Sequence, residues 1–119
     1  MGTFRVPVEI ANIAGGGPFE RVEALVDTGA TYTLLPEEIL HRLGVEPRGK
    51  RRFLLADNRE AMYPTAWVLA KIDGEIQPTI VVFGASGCDP LLGAVTLEEF
   101  GLGVDPLRRQ LIPVPGLLK

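Results

Sequence analysis

The amino-acid sequence predicts one all-β, barrel-like domain covering residues 1–119, with one or two short helices. Three observations favour this fold class. Apolar and polar residues alternate over residues 4–10 with the period of a half-buried strand. The 14 Gly and 10 Pro residues are spread along the chain, as expected for many short strands joined by turns. The pair Asp73-Gly74 is a strong signal for a two-residue hairpin turn.

The first elements are predicted to be a hairpin, a loop and a helix. Strands at residues 4–10 and 19–26 flank a Gly-rich turn, and Pro7 restricts the first strand to an edge or a subunit boundary. A loop at residues 27–33 follows. The helix runs from Pro36 to about Leu43, because acidic residues begin it, basic residues end it and Gly44 can stop it.

The rest of the chain is predicted to be mostly strands. They lie at residues 52–56, 61–72 and 75–83, followed by a short apolar segment at 91–93, a helix at 97–100 capped by Thr96, and a hairpin at 102–112. We read the basic cluster at residues 48–52 as a solvated loop.

Composition and charge argue against several classes of function. A net charge of −3 and a pI near 5.1 argue against nucleic acid or an anionic membrane as the partner. No apolar run approaches the length of a membrane span. Cys88 is the only cysteine, so an intramolecular disulfide is excluded and a cytoplasmic location is expected. His41, Ser86 and Cys88 have no partner residues in the sequence that would indicate a metal site or a nucleophile.

The most informative segment is Ala24–Thr31, where an apolar run ends in Asp27-Thr28-Gly29-Ala30. This order places a carboxylate at the end of a strand, on a turn whose glycine permits close approach of another backbone. The segment resembles the active-site loop of retropepsin-like aspartic proteases. The resemblance extends to an apolar-apolar-Gly element, Leu91-Leu92-Gly93, followed by a helix at residues 95–100, and it spans residues 4–114. It implies a closed retropepsin-like barrel with a flap hairpin.

The same resemblance implies an aspartic endopeptidase that needs no metal and no cofactor. Because the chain has one Asp-Thr-Gly, the second acid would come from a second copy, so a homodimer acting on polypeptide substrates is expected. Two Asp27 carboxyls would share one proton and activate a water. Thr28 would brace the two loops, Gly29 would let the substrate backbone pack closely, and Ala30 would line the cleft.

The flap is expected at residues 53–63, with a charged tip at 57–60 that lacks the glycines of retroviral members. By position in the family, the substrate-binding candidates are Leu55, Ala56, Asp57, Asn58, Val81 and Val82. Thr31-Tyr32 and Ala94 replace the acids and the arginine of the viral enzymes, so the pattern is closer to cellular and prokaryotic members. The apolar tail at residues 111–118 is a candidate for packing between subunits.

Two alternatives remain open on the sequence. The charged flap tip is compatible with a peptide-binding or assembly module that keeps the protease fold without catalysis. A phosphoryl-transfer enzyme using Asp27 as nucleophile would need a parallel α/β sheet and Mg²⁺, which the hairpin-rich pattern disfavours.

Overall fold

The computed structural model describes residues 3–15 and 17–118, and strands make up most of its regular structure. The strands are β1 (Arg5–Asn12), β2 (Glu20–Val26), β3 (Thr33–Pro36), β4 (Gly49–Leu54), β5 (Glu60–Ile72), β6 (Glu75–Gly84), β7 (Leu91–Leu92), β8 (Leu102–Asp105) and β9 (Gln110–Pro113). The helices are α1 (Glu37–Arg42) and α2 (Ala94–Glu99). The predicted all-β class is therefore confirmed.

Strand pairing runs around a ring. The order in the main sheet is β1-β2-β7-β3-β6-β5-β4, and β5 also pairs with β1. The 13-residue strand β5 makes this possible, because its first half pairs with β4 and its second half with β1. Two pairs, β2 with β7 and β3 with β6, are parallel, whereas the other pairs are antiparallel. This is not the parallel α/β sheet that a phosphoryl-transfer enzyme would need.

The two-residue strand β7 separates two strands that are consecutive in the chain. Leu91 and Leu92 pair in parallel with the end of β2, and Leu91 also pairs with Leu34 of β3. The loop between β2 and β3 must therefore cross over the end of β7. The predicted Leu91-Leu92-Gly93 element thus lies directly against the loop that carries Asp27.

The interior of the ring is filled by side chains that alternate along the strands. Phe4, Val8 and Ile10 are buried as the period of residues 4–10 predicts. Pro7 lies outside the stretch of β1 that pairs with β5, so its missing N–H costs no pairing on that side. A core cluster joins the strands to Leu40 of α1 and Leu97 of α2.

The turn and helix signals have mixed outcomes. Asp73 and Gly74 have φ angles of 51° and 83°, the conformation that a two-residue hairpin turn requires, which confirms that prediction. Helix α1 is confirmed, and Gly44 ends it with a φ of 76°. The prediction that Thr96 caps the second helix is wrong, because α2 begins directly after Gly93 and Thr96 lies inside it.

The basic cluster at residues 48–52 is exposed as expected, but all of it except Arg48 belongs to β4 and not to a loop. Strand β4 therefore starts three residues earlier than the sequence predicts. Pairing with β5 explains this, since Gly49 to Leu54 align with Thr65 to Glu60. Among residues 3–15 and 17–118, no helix is long and apolar enough to cross a membrane.

The crossing at β7 generates a prediction for Gly93. A Cβ atom at Gly93 would lie 2.5 Å from the carbonyl carbon and oxygen of Tyr32, and backbone atoms cannot move aside as a side chain can. Gly93→Ala should lower the free energy of unfolding by about 2–4 kcal/mol, measured by denaturant titration. Gly116→Ala is the matched control, since nothing lies within 4 Å of a Cβ there. Equal stabilities of the two variants would contradict the prediction.

Candidate active site

Asp27 leaves the end of β2 on a tight turn that fixes its carboxylate. Its backbone N–H donates to the carbonyl oxygen of Leu92 at 3.0 Å, which extends the pairing with β7 by one residue. The N–H of Gly29 donates to Asp27 Oδ1 at 3.0 Å, and the N–H of Ala30 donates to the Asp27 carbonyl at 3.1 Å. The half-buried carboxylate is thus oriented by its own loop.

The Asp27 loop also rests on the start of α2. The N–H groups of Ala94 and Val95 donate to the carbonyls of Ala30 and Thr31 at 2.8 and 2.9 Å. The first N–H groups of a helix have no partner within the helix, so these carbonyls satisfy them. This contact explains physically why an Asp-Thr-Gly loop and a Gly-then-helix element occur together.

An open cleft of about 780 Å³ lies over the loop. Its walls come from the Asp27 loop, the hairpin of β4 and β5, and the ends of β6 and β7. The lining residues are Asp27, Gly29, Ala30, Thr31, Tyr32, Leu34, Arg51, Arg52, Phe53, Leu54, Leu55, Ala56, Tyr63, Val82 and Leu91. Most of them are apolar or aromatic, and Asp27 is the only carboxylate among them.

The hairpin of β4 and β5 is held against the Asp27 loop by aromatic contacts. The rings of Tyr32 and Phe53 meet edge to face at a centroid distance of 5.8 Å, and Phe53 lies 6.0 Å from Tyr63. Such pairs contribute roughly 0.5–1.5 kcal/mol beyond the area they bury. The hairpin therefore forms a lid that is anchored at its base within the same protomer.

Arg51, on strand β4 of the lid, also contacts this aromatic cluster. Its Nη1 donates to the Tyr32 hydroxyl at 2.6 Å, and its guanidinium carbon lies 5.4 Å from the centre of the Tyr32 ring. Within the part of the chain that the structure describes, no carboxylate forms a salt bridge with Arg51. The cleft thus contains a cation whose charge is not neutralised.

Beneath the loop, a row of buried hydroxyl groups runs from Gly93 to Glu99. The Thr33 and Thr96 hydroxyl oxygens are 2.6 Å apart, and those of Thr79 and Thr96 are 2.8 Å apart. Thr79 donates to Glu99 Oε1 at 2.6 Å, and the Gly93 N–H donates to Thr33 Oγ1 at 3.1 Å.

The two ends of this row fix its direction. An ionised carboxylate accepts only, and an N–H donates only. Thr79 therefore accepts from Thr96, and Thr96 accepts from Thr33. Each hydroxyl donates once, toward Glu99, and no buried side-chain polar atom of the described residues lacks a partner.

The structure brings together some of the predicted site residues and separates others. Cleft-lining positions are occupied by Asp27, Gly29, Ala30, Leu55, Ala56 and Val82. Thr28 is exposed in the loop and does not line the cleft. Val81 is fully buried in the core, because neighbouring residues of a strand point to opposite faces. Asp57 and Asn58 form the exposed lid tip, where Asp57 pairs with Arg59 at 2.6 Å.

Sequence reasoning missed Tyr32, Arg51, Phe53 and Tyr63 as cleft residues. One signal was available, because the register of the β4–β5 hairpin places Arg51 opposite Tyr63, and Phe53 follows two residues after Arg51 on the same face. No local signal marks the row of buried threonines, whose members are up to 63 residues apart.

A second polar contact holds the loop that leads into β7. The Glu38 carboxylate on α1 accepts hydrogen bonds from the Gly87 N–H at 2.9 Å and from the Ser86 hydroxyl at 3.1 Å. A hydrogen bond from its own backbone N–H, together with these two, lowers the pKa of Glu38 below its ordinary value of 4.5. Glu38 thus ties the loop at residues 85–90 to α1.

Within residues 3–15 and 17–118, Cys88 and His41 do not form a second site. Burial, followed by the charges of Glu38 and Asp89, raises the pKa of the Cys88 thiol, so the reactive thiolate is disfavoured. His41 is exposed at the end of α1 and lies 6.1 Å from the ring of Phe83. Neither residue lines the cleft of Asp27.

A barrel of this topology, with an Asp-Thr-Gly loop crossing a short inserted strand under a hairpin lid, defines the retropepsin-like class of aspartic proteases. A family model described as aspartyl protease matches residues 6–105, and the chain belongs to that family. The chain is also similar to the solution structure of the simian foamy virus (mac) protease, at 19% identity and a TM-score of 0.58. That match covers 81% of this chain and 93% of the viral one, and it shows the fold. No curated protein sequence matches the chain.

The hydroxyl row predicts a large effect at Thr96. Thr96→Val removes two hydrogen bonds and leaves two buried hydroxyl groups without one of their partners. We expect the free energy of unfolding to fall by about 2–3 kcal/mol, measured by denaturant titration. Thr65→Val is the control, since Thr65 is also a buried residue, but its hydroxyl bonds to no other described residue and its oxygen is not itself fully buried. A loss at Thr96 no greater than at Thr65 would contradict the proposed row.

The Glu38 contact predicts a pH-dependent stability. A carboxyl whose pKa is lowered on folding contributes stability above its unfolded pKa, and this contribution is lost as the pH falls through the folded value. Wild type should therefore exceed Glu38→Gln in melting temperature at pH 6–7, and the difference should shrink below about pH 4.5. Glu37→Gln removes a charge from the same helical turn and should not reproduce this profile. A difference that grows on acidification would refute the assignment.

Proposed function

We propose that the protein is an aspartic endopeptidase that works as a homodimer, with a catalytic dyad of two Asp27 carboxyls, one from each subunit. One observation carries the proposal: Asp27 is the only carboxylate among the residues that line the cleft. Peptide hydrolysis by an activated water needs one group that accepts a proton and one that donates it. A single protomer supplies half of that pair.

Two further features support association of two copies. Thr28 is exposed beside Asp27, and its hydroxyl makes no hydrogen bond to another described residue, so it is free to brace the partner's loop. The tail after β9 is apolar and exposed, with Leu117 and Leu118 at 80% and 99% exposure. Apolar side chains so exposed favour a covering surface, and a second subunit would supply one.

The mechanism follows from the shared proton. Two carboxyls facing each other across a two-fold axis cannot both ionise cheaply, so one stays protonated. The ionised member takes a proton from a water, which attacks the peptide carbonyl, while the protonated member donates toward the carbonyl oxygen. The Gly29 N–H, 3.0 Å from Oδ1, holds each carboxylate in orientation. No covalent enzyme intermediate forms in this scheme.

The substrate is proposed to be an extended polypeptide with apolar side chains near the cleaved bond. Ala30, Leu55, Ala56 and Val82 supply apolar walls of the cleft. The lid tip at Asp57 and Asn58 would close over the bound chain, with the Asp57–Arg59 pair giving it a stiffer turn than glycines would.

A non-catalytic peptide-binding or assembly module remains the second candidate. Two observations favour it: the tip lacks glycine, and Tyr32 and Phe53 anchor the lid at its base. A lid held in this way could bind a peptide without completing the closure that catalysis requires.

Asp27→Asn separates these functions. We expect it to reduce kcat/KM for peptide cleavage by at least about a hundredfold, because the amide neither accepts nor supplies the shared proton. Cleavage is measured on a peptide library between about pH 3 and 7, the range in which carboxyls titrate. Cleavage that survives Asp27→Asn would refute the dyad, and no cleavage by wild type would favour the binding module.

Mixing the two proteins tests the dimer in the same assay. If each active site needs two intact Asp27 residues, an equal mixture of exchanging wild-type and Asp27→Asn subunits retains about one quarter of the wild-type activity. A monomeric enzyme would retain about one half. Sedimentation of the mixture at the assay concentration provides the independent measure of mass, and an active species of one chain would contradict the proposal.

A further inference from the structure

We propose that Arg51 and Tyr32 form a subsite that selects an acidic side chain, Asp or Glu, in the substrate polypeptide; this inference rests on the proposed peptidase function. The sequence alone indicates only an apolar preference. The subsite would add a charged requirement beside the apolar walls, so the favoured substrate segments are apolar stretches that contain a carboxylate at a defined distance from the cleaved bond.

The first support is the geometry of the guanidinium. Arg51 lines the cleft and uses Nη1 to bond the Tyr32 hydroxyl, which holds the side chain beside the cleft wall. The other N–H groups of the guanidinium bond no described residue. A guanidinium has five N–H donors in a planar fork that matches a carboxylate. Arg51 is therefore positioned by one donor, and the remaining donors are available to a ligand.

The second support is the contrast with the neighbouring arginines. Arg52 pairs with Glu60 at 3.7 Å, and Arg59 at the lid tip pairs with Asp57 at 2.6 Å. Arg51 precedes Arg52 on β4 and has no such acid within 4.0 Å among the described residues. The same lid thus pairs Arg52 and Arg59 with acids and leaves Arg51, which lines the cleft, without one.

The third support is the distribution of charge over the chain. Residues 48–64 contain five basic and two acidic residues, a formal charge of +3, whereas the whole chain carries −3. The lid is therefore a positive segment on an otherwise acidic protein. Its potential attracts an acidic peptide to the cleft and disfavours a basic one.

The aromatic residues that line the cleft with Arg51 indicate that the subsite would also accept the apolar part of an acidic side chain. Phe53 and Tyr63 line the same cleft with ring centroids 6.0 Å apart, and Phe53 contacts the Tyr32 ring that the guanidinium covers. The methylene groups of a Glu side chain can pack on such a surface while its carboxylate reaches the guanidinium. In a symmetric dimer the subsite occurs twice, so acidic residues are favoured at two positions related by the two-fold axis.

The test uses matched peptides that differ by Glu or Gln at one position, scanned along both sides of the bond in a peptide that the protein cleaves. We expect the Glu peptide to exceed the Gln peptide in kcat/KM by about three- to tenfold at one pair of positions. Arg51→Gln should reduce this ratio to about one, and Arg51→Lys should retain part of it, because the charge remains without the planar fork.

Lys50→Gln is the matched control. It removes the same charge from the adjacent residue, which does not line the cleft, so the ratio should keep its wild-type value. Lowering the pH below about 4 should also reduce the ratio in wild type, since the substrate Glu is then protonated. A ratio near one at every position, or a ratio that Arg51→Gln leaves unchanged, would overturn the proposal.

Equilibrium binding separates this inference from the proposed function. The same fluorescently labelled peptides are titrated against Asp27→Asn, which cannot cleave them, and against its double variant with Arg51→Gln. Tighter binding of the Glu peptide that depends on Arg51 supports the subsite even if wild type cleaves nothing. Equal binding of both peptides contradicts the subsite even if wild type is an active peptidase.

Discussion

The insertion of β7 between β2 and β3 is the constraint on which the rest of the structure depends. Leu91 and Leu92 of β7 pair with the strands on both sides. The Asp27 loop, which joins those two strands, can therefore pass only over the end of β7. Gly93 must then pass beneath Tyr32 without a side chain, and the first N–H groups of α2 bond the loop from below. A carboxylate at the mouth of the barrel follows from how two strands, β2 and β3, share one short neighbour.

The parts of this fold that sequence predicted are those decided by neighbouring residues. The Asp73-Gly74 turn, the start and stop of α1 and the alternation of residues 4–10 each depend on local backbone preferences or on the period of a strand. The failures have a common origin in tertiary contacts. Threonine is a common residue at the start of a helix, but the hydroxyl of Thr96 bonds Thr33 and Thr79, which lie far away in sequence.

The candidate site also has one part that neighbouring residues predict and one part that depends on tertiary contacts. Asp27 and its loop could be found because a short motif carries the chemistry, whereas the lid side of the cleft depends on the register of a hairpin. The predicted strand began at residue 52, which left Arg51 in a solvated loop and concealed its alignment with Tyr63 across the hairpin. Val81 and Val82 illustrate the alternation of faces along a strand, because only one of two adjacent valines can face the cleft.

The row of hydroxyl groups from Thr33 to Glu99 has a consequence for how such a protein can change over evolution. Each threonine donates to the next, so replacing one alone leaves a neighbour buried without its partner. Replacing the three threonines together by apolar residues of similar shape removes the donors and acceptors inside the row and leaves only its two ends, the Gly93 N–H and the Glu99 carboxylate, to be satisfied by other partners. Relatives of this chain are therefore expected to keep or lose Thr33, Thr79 and Thr96 jointly, and covariation among these three positions would record a buried hydrogen-bond row that no single position reveals.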